Sequence, residues 1–266
     1  MEKENIKKII KKKEEKEASL FNIRQIKSID GKNYTIPLTE TQDSNLLVKI
    51  YSRSNPYGAQ GKCYTGEIDM TFCKKAFTSN PEDCKMLRGA HVDRYIQRKE
   101  ISQGETLYLD ESILREIKKS MDSKLFSSPR IIMQGITGVN ERIRLKMTLV
   151  KDTYCANSVN YCLFEDMNEA KYMLGLFNSK LMNYVFKLLS TNSNVNGYEV
   201  DNLPVVQKVD SKIKESIINS VSKILDIKAT DIFADTSYEE QEIDQLVYKL
   251  YNLTPEEIAI VEGKNE

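Results

Sequence analysis

The chain has 266 residues, enough for one large domain or two smaller ones at about 100–200 residues per domain. Its hydrophobic fraction of 40% and charged fraction of 29% exclude a disordered or fibrous protein. Its 39 basic side chains balance 39 acidic ones, which excludes a protein whose whole surface is basic but does not say how the charge is distributed.

Several site classes are excluded by what the sequence lacks. No apolar run approaches the roughly 18 residues that cross a bilayer, and the Lys/Glu-rich start does not resemble a signal peptide, so we expect a cytoplasmic protein. The five cysteines are odd in number and contain no C-x-x-C pair, which indicates buried thiols and not a disulfide framework or a zinc site. The single histidine, His91, excludes a His-rich metal site.

The first third of the chain changes character near Tyr34. Residues 2–17 mix both charges on good helix formers, which predicts a charged N-terminal helix within a leader or linker over residues 1–33. This helix could dock on a partner, continue a helix from elsewhere or fray in solvent. The runs NYTIPL (33–38), LLVKIY (46–51) and GKCYTGEI (61–68) are rich in β-branched and aromatic residues, and we expect them to form strands separated by turns.

Strands and helices then alternate up to residue 189. The run SILREIKKSM (112–121) predicts a helix, and RIIMQGI (130–136) and RIRLKMTLV (142–150) predict strands. Asp166, with Glu169 three residues later, is a candidate capping box that opens one core-facing helix of about five turns through Leu188.

The C-terminal part is predicted to be helical. A polar loop ends at Pro204, two amphipathic helices follow, and Thr254 with Pro255 and Glu257 has the pattern of an N-cap for a final short helix. We therefore predict an α+β protein, with a mixed, β-rich domain over residues 34–210 and a C-terminal helical segment over residues 211–266.

The charge is divided unevenly along the chain. Residues 231–266 carry ten acidic side chains against two lysines, a net charge of −8, so the preceding 230 residues carry +8. A basic body makes nucleic acid a plausible partner. Arginine binds guanine edges and phosphates in two-point geometry, and seven of the nine arginines lie close together in the sequence: Arg88, Arg94, Arg98, Arg115, Arg130, Arg142 and Arg144.

Sequence motifs for catalysis are absent. The chain contains no G-x-S-x-G, Walker, H-E-x-x-H or G-x-G-x-x-G motif. Glu199 and Asp201 are paired carboxylates in a loop without a nearby nucleophile, which favours a turn-forming role. Residues 54–57, SNPY, partly match the Asn/Asp-Pro-Pro-Tyr loop of adenine methyltransferases, but they have one proline and no preceding glycine-rich turn, and we interpret them as a turn.

Four segments carry a family resemblance: LRGAHVDRY at 87–95, PRIIMQGI at 129–136, YMLGLFNSKL at 172–181 and EVDNLPV at 199–205. In this order they resemble the TaqI-like C-terminal specificity domain, the target-recognition part of adenine-specific restriction-modification methyltransferases. The stretch at 247–263 is similar to the C-terminal tail of many methyltransferases that carry such domains.

Two features depart from the family pattern. His91 stands where the family usually has aspartate, and Gly135 where glutamate is common. The methyltransferase half that normally precedes the domain, with its methyl-donor and catalytic motifs, is missing. We therefore interpret the chain as a specificity subunit of a restriction-modification system, with a role in phage defence and no catalytic activity or cofactor of its own.

The resemblance implies two kinds of partner. One is double-stranded DNA, and the other is a methyltransferase subunit that flips the target adenine and uses S-adenosylmethionine. The charged N-terminal helix and the C-terminal helices are candidates for contacting the methyltransferase or a second copy of the chain, and a homodimer would read a two-part target. The residues predicted to lie at the DNA are Arg88, His91, Arg94, Arg98, Arg130, Gln134, Arg142, Arg144, Asn192 and Asn194, of which Arg94 could equally belong to the scaffold.

Two alternatives remain open from the sequence. The chain could be the C-terminal fragment of a bifunctional methyltransferase or nuclease. It could also be a protein-interaction module or decoy that has lost DNA binding.

Overall fold

The computed structural model describes residues 29, 41–99, 101, 107–119, 121–122 and 124–264. The helix predicted over 2–17 and the strand predicted over 33–38 lie outside these residues. Of the leader over 1–33 they include Ile29, which is helical and buried.

The helices and strands follow one another as a mixed α+β arrangement, as predicted. The elements up to residue 127 are α1 (Thr41–Ser52), β1 (Asn55–Pro56), β2 (Cys63–Thr65), β3 (Phe77–Thr78), β4 (Cys84–Leu87), β5 (Val92–Asp93), β6 (Ile96–Gln97), β7 (Tyr108–Leu109), α2 (Glu111–Ile117) and α3 (Lys124–Ser127). Those that follow are β8 (Arg130–Gln134), β9 (Met147–Val150), β10 (Tyr154–Cys155), β11 (Val159–Leu163), α4 (Met167–Asn178), α5 (Lys180–Leu189), α6 (Gly197–Asp201), β12 (Pro204–Val205), α7 (Ser211–Thr230), α8 (Ser237–Leu250) and α9 (Pro255–Glu262).

The centre of the fold is a four-stranded antiparallel sheet in the order β2-β11-β8-β9. Strand β8 is buried on both faces, since the first four of its five side chains are inaccessible to solvent. The strands predicted over 61–68, 130–136 and 142–150 are confirmed, although each is shorter than its apolar run. A second sheet has the order β10-β4-β7-β3, in which only β10 and β4 are parallel.

The strand predicted over 46–51 is wrong, because this run lies within helix α1. Its buried side chains, Leu46, Leu47, Ile50 and Tyr51, recur with helical spacing and face the main core. A short apolar run fits a buried strand or a buried helix equally well, and here the tertiary contacts select the helix. The turn predicted over 54–57 instead includes the short strand β1, which pairs with β12.

The single five-turn helix predicted after Asp166 is interrupted at Ser179. Asp166 caps α4 as expected, accepting the N–H of Glu169 at 2.8 Å. At Ser179 the backbone becomes extended (ψ 155°), and its hydroxyl donates to the carbonyl of Leu176 at 2.7 Å and accepts the N–H of Met182 at 3.3 Å. One serine side chain thus ends α4 and caps α5, which turns the chain while satisfying backbone groups at both helix ends.

The residues on either side of this break anchor it to the sheet and to the C-terminal helices. The buried amide of Asn178 bonds both backbone groups of Met147, accepting its N–H at 3.2 Å and donating to its carbonyl at 3.0 Å. The ammonium of Lys180 lies 3.5 Å from a carboxylate oxygen of Asp244 and 3.1 Å from one of Glu262. Asn178, Ser179 and Lys180, which belong to the segment YMLGLFNSKL of the family resemblance, therefore have structural roles.

One large hydrophobic core contains side chains from α1, the central sheet, α4, α5, α7 and α8. The predicted amphipathic helices after residue 210 are confirmed, and Thr254 caps α9 in a reciprocal pair with Glu257. Elements on both sides of residue 210 pack into this core, and the predicted domain boundary there stays a prediction. Within the described residues, no helix is long and apolar enough to cross a membrane.

Gly175 sets the distance between α4 and α7. A Cβ atom at this position would lie 2.6 Å from Cγ2 of Ile217 and 2.9 Å from Cγ2 of Val221, and both methyl groups are fixed on β-branched side chains. The two helices pack this closely because residue 175 has no side chain.

We expect Gly175→Val to lower the free energy of unfolding by about 2–3 kcal/mol, because the core must open to admit the new methyl groups. Urea unfolding measures the change. The matched control is Asn168→Val on the exposed face of the same helix, which should change stability by less than about 0.5 kcal/mol. Equal stabilities for the two variants would contradict the packing described here.

Candidate nucleic-acid interface

Four connecting segments meet beside the central sheet: residues 88–91, 135–140, 156–158 and 190–196. We call this surface the loop face. Gly89 donates its N–H to the hydroxyl of Ser158 at 3.1 Å, and Gly135 donates to the carbonyl of the same residue at 3.1 Å. Thr137 donates to the carbonyl of Ser193 at 2.8 Å. Because each segment is hydrogen-bonded to a neighbour, the loop face is one continuous surface.

The turn at 156–158 lies unusually close to two glycines. A Cβ atom would lie 2.8 Å from the Ser158 carbonyl oxygen at Gly89 and 3.0 Å from it at Gly135. This close approach gives a physical reason for glycine at position 135, where the family pattern commonly has glutamate. A glutamate side chain there would collide with the turn or push it away from the sheet.

Arg144 holds the loop 190–196 from beneath. Its guanidinium is 1% exposed and donates to the carbonyl and hydroxyl of Ser190, at 3.3 and 3.0 Å, and to the carbonyls of Asn192 and Asn194, at 2.6 and 3.2 Å. Carbonyl groups in a loop lack the hydrogen-bond donors that a helix or strand provides. Here the guanidinium of Arg144 donates to them instead. Burial lowers the pKa of Arg144, and the nearby carboxylates of Glu199 and Glu141 oppose that shift.

Four of the predicted DNA-contacting residues lie on or at the edge of the loop face. Asn192 and Asn194 are exposed, whereas Arg88 and Gln134 are half-buried. The amide of Gln134 donates to the carbonyl of Val92 at 2.6 Å, which ties β8 to β5.

Three other predicted residues, His91, Arg130 and Arg144, are buried within the protein. Arg130 forms an ion pair with Glu67, with Nη1 at 3.0 Å from both carboxylate oxygens, and also donates to the carbonyl of Thr153. His91 and Arg144 support the loop face from inside, whereas Arg130 ties β8 to the segment after β2 at the other end of the strand. None of the three forms part of the surface of the loop face.

His91 Nδ1 accepts the N–H of Arg88 at 3.0 Å, which fixes the turn at 88–91. The opposite nitrogen, Nε2, is buried without a hydrogen-bond partner in the structure. Burial lowers the pKa of His91, and the cation of Arg88 acts in the same direction. The imidazole is therefore neutral near pH 7 and serves as a hydrogen-bond acceptor inside the domain.

The side chains of the remaining predicted residues, Arg94, Arg98 and Arg142, have other positions, although the backbone N–H of Arg98 donates to the carbonyl of His91 at 2.8 Å and so borders the loop face. Arg94 pairs with Glu240 of α8 at 2.6 Å and donates to the carbonyl of Asn178. Arg98 pairs with Asp93, and Arg142 is exposed beside a groove that α5 and α8 line. The sequence cluster of arginines thus divides in space between the interior, the C-terminal helices and the loop face.

Two features of the loop face are not evident from sequence patterns. The strand predicted over 130–136 includes Ile136, but β8 ends at Gln134 and the Ile136 side chain is 68% exposed. The turn Asn157-Ser158 lies between β10 and β11, where its small polar residues between two apolar runs were an available turn signal.

Among the described residues, no group of three or more His, Cys, Asp or Glu side chains is placed to hold a metal ion. The carboxylates of Glu199 and Asp201 bind backbone groups instead, accepting the N–H of Asn196 at 2.8 Å and that of Cys63 at 2.7 Å. The turn-forming role predicted for this pair in a loop is wrong in detail, because both residues lie in α6: Glu199 caps that helix, and Asp201 bonds to the distant strand β2.

Comparison with protein families identifies the segment that builds this surface. Residues 84–205 match the TaqI-like C-terminal specificity domain. This match agrees with the resemblance carried by the sequence motifs, and the matched residues include all four segments of the loop face. Target recognition in restriction-modification is the function class of such a domain.

Two solved structures are similar to the chain. The type IIG restriction endonuclease BpuSI has a TM-score of 0.46 and 12% identity, with 80% of this chain and 34% of that chain covered. The type IIL restriction-modification enzyme MmeI, in complex with DNA, has a TM-score of 0.42 and 10% identity, with 79% and 34% covered. This chain thus spans about a third of the length of each. No curated protein sequence matches it.

We call the hydrogen bonds from Arg144 to the loop 190–196 the Arg144 clamp. Losing this clamp should affect both the loop and the stability of the whole protein. We expect Arg144→Met to lower the free energy of unfolding by about 2–4 kcal/mol, because several buried acceptors lose their donor. Amide hydrogen exchange should accelerate in residues 190–196. The control, Arg142→Met, removes an exposed arginine two residues away and should change neither quantity appreciably; an identical exchange profile in the two variants would contradict the clamp.

Because His91 is buried, its pKa should be lower in the folded protein than in the unfolded chain. In the unfolded chain the imidazole titrates near pH 6.5, and in the folded protein at a lower pH, so this group's contribution to stability is present above pH 6.5 and lost as the pH falls below it. Since the chain has one histidine, its Cε1 proton gives a single imidazole NMR signal. We expect a midpoint below 6.5 in buffer and near 6.5 in urea. A folded-state midpoint at or above 6.5 would refute the buried, neutral assignment.

Proposed function

We propose that this chain is the DNA target-recognition subunit of a restriction-modification system and that it binds double-stranded DNA through the loop face. The observation that carries the proposal is the composition of that surface. The four segments, RGAH, GITGVN, ANS and STNSNVN, contain no aspartate or glutamate, although the chain has 39 acidic residues. An acid-free surface of amides, hydroxyls and exposed backbone suits a polyanion and can bind base edges.

The acidic side chains nearest the segment ends are Asp93, Glu141 and Glu199, and each is engaged within the protein. Asp93, two residues after the first segment, forms an ion pair with Arg98. Glu141, directly after the second segment, forms an ion pair with Lys146 and accepts the N–H of Gly138 at 3.3 Å. Glu199, which follows the fourth segment, accepts the N–H of Asn196. These contacts reduce the repulsion that free carboxylates would exert on phosphate groups.

The residues of the loop face suit two kinds of contact. Arg88, at the rim, carries the charge needed for a phosphate contact, which contributes affinity and register without sequence information. The exposed amides of loop 190–196 suit hydrogen bonds to base edges, where sequence is read. The buried cation of Arg144 adds positive potential directly below that loop.

In this proposal, a partner subunit carries out the methylation reaction. We propose that an S-adenosylmethionine-dependent adenine methyltransferase acts with this chain, which contributes recognition and binds no methyl donor itself. The acidic C-terminal segment is the proposed contact for that subunit or for a second copy, because it presents the two exposed aromatic side chains Phe233 and Tyr238. Methylation of DNA by this chain alone, with methyl donor added, would refute the subunit assignment.

DNA binding and its surface can be tested together. A duplex is selected from a randomised pool with the purified chain, and its affinity is then measured by fluorescence anisotropy between about 50 and 200 mM salt. We expect affinity to fall steeply with salt. The Arg88→Ala variant should bind more weakly and show a slope of log affinity against log salt that is smaller by about one, the effect of losing one phosphate contact.

The matched control is Arg115→Ala, which removes an exposed arginine of α2, outside the loop face. It should bind as the wild type does. Failure to select or bind any duplex would contradict the function, and an equal loss in both variants would contradict the assignment of the surface. Thermal unfolding verifies that each variant is folded.

A further inference from the structure

Ile136 is the more exposed of two aliphatic side chains, with Val139, on a surface otherwise made of small and polar groups. It is 68% exposed, and it follows β8 at the point where the chain leaves the central sheet. The backbone around it is fixed, because Gly135 accepts the N–H of Val195 at 3.0 Å and Thr137 donates its N–H to Ser193 at 2.8 Å. An aliphatic side chain held in solvent in this way buries little surface on folding, and it has no packing role in the chain's described core.

Asn194 lies directly opposite Ile136 across an antiparallel bridge. Directly opposed residues of this kind have Cβ atoms about 4.5–5.5 Å apart and project to the same side. The Asn194 backbone is fixed too, because its N–H donates to Oδ1 of Asn192 at 2.8 Å and its carbonyl accepts from Arg144. An aliphatic group and a carboxamide therefore stand side by side on a rigid base.

The two exposed asparagines of this loop have different positions. Asn192 uses its amide oxygen inside the loop, to accept the N–H of Asn194. Asn194 contributes its backbone to the clamp, and its side chain is on the exposed side. Only two side-chain torsions need to be fixed when Asn194 binds, which keeps the entropic cost of recognition low.

This pair matches the major-groove edges of adenine and thymine. A carboxamide forms two hydrogen bonds with adenine, at N6 and N7, and an aliphatic side chain contacts the C5 methyl of thymine, which neither guanine nor cytosine has. We propose that Ile136 and Asn194 are specificity-determining residues that read A·T base pairs in the DNA target, with Ile136 on a thymine methyl and Asn194 on an adenine edge. The inference rests on the proposed function, since it assigns roles within the same surface.

Base analogues test this reading atom by atom. In the selected duplex each thymine is replaced in turn by deoxyuridine, which removes only the methyl group, and each adenine by 7-deazaadenine, which removes N7. We expect one deoxyuridine to weaken wild-type binding about three- to fivefold, the effect of one methyl group removed from an apolar contact. In Ile136→Ala the thymine and deoxyuridine duplexes should bind equally, whereas Val139→Ala, the control in the same loop, should retain the difference.

The 7-deazaadenine series tests Asn194 in the same way. One position should weaken wild-type binding by fivefold or more, and Asn194→Ala should bind the adenine and 7-deazaadenine duplexes equally. If wild-type chain binds the selected duplex but is insensitive to every analogue, or if the variants keep the wild-type differences, the A·T reading is wrong while the DNA-binding function stands. If no duplex is bound, the proposed function itself fails.

Discussion

The hydrogen bonds of the Arg144 guanidinium are the interaction on which the loop face depends. A seven-residue loop has carbonyl groups that no helix or strand satisfies, and burying them without donors would cost more than the loop could recover. One buried cation with five N–H groups removes that cost for residues 190, 192 and 194. It thereby fixes a polar segment that would otherwise adopt many conformations and gives it a shape that can discriminate between ligands.

Elsewhere in the domain, buried polar side chains also hydrogen-bond one secondary-structure element to another. Arg130 and Glu67 tie β8 to the segment after β2, and Asn178 bonds the edge of β9. Motif residues of the specificity-domain family are therefore largely scaffold in this chain. The exposed side chains of the four loops, by contrast, do not contribute to the buried core.

The acidic C-terminal segment and the basic body of the chain are in contact in the structure. Several carboxylates of the acidic C-terminal segment pair with lysines and arginines of the body: Lys49 with Glu257, Arg94 with Glu240, and Lys180 with Asp244 and Glu262. Pairs of this kind contribute little stability individually when exposed. Together they neutralise the body on the side of the C-terminal helices and leave the acid-free loops on another part of the surface.

Sequence patterns predicted most of the helices after residue 166 and three of the four strands of the central sheet, β2, β8 and β9, because periodic runs specify both type and position. They did not predict β11, and they placed α6 in a polar loop. They misassigned residues 46–51, where a short apolar run does not distinguish helix from strand, and missed the break at Ser179, where one hydroxyl serves two helix ends. Sequence patterns could not predict which arginine side chains are buried and which are exposed. Arg144 and Arg142 are two residues apart, yet one is buried and the other exposed, and only the tertiary structure decides which.

Hydrogen–deuterium exchange of the chain with and without a selected duplex tests most directly whether DNA binds the loop face. Binding should slow exchange in residues 88–91, 135–140, 156–158 and 190–196 together, since one surface is covered. Protection confined to α7, α8 and α9, with exchange in those four segments unchanged, would contradict the account.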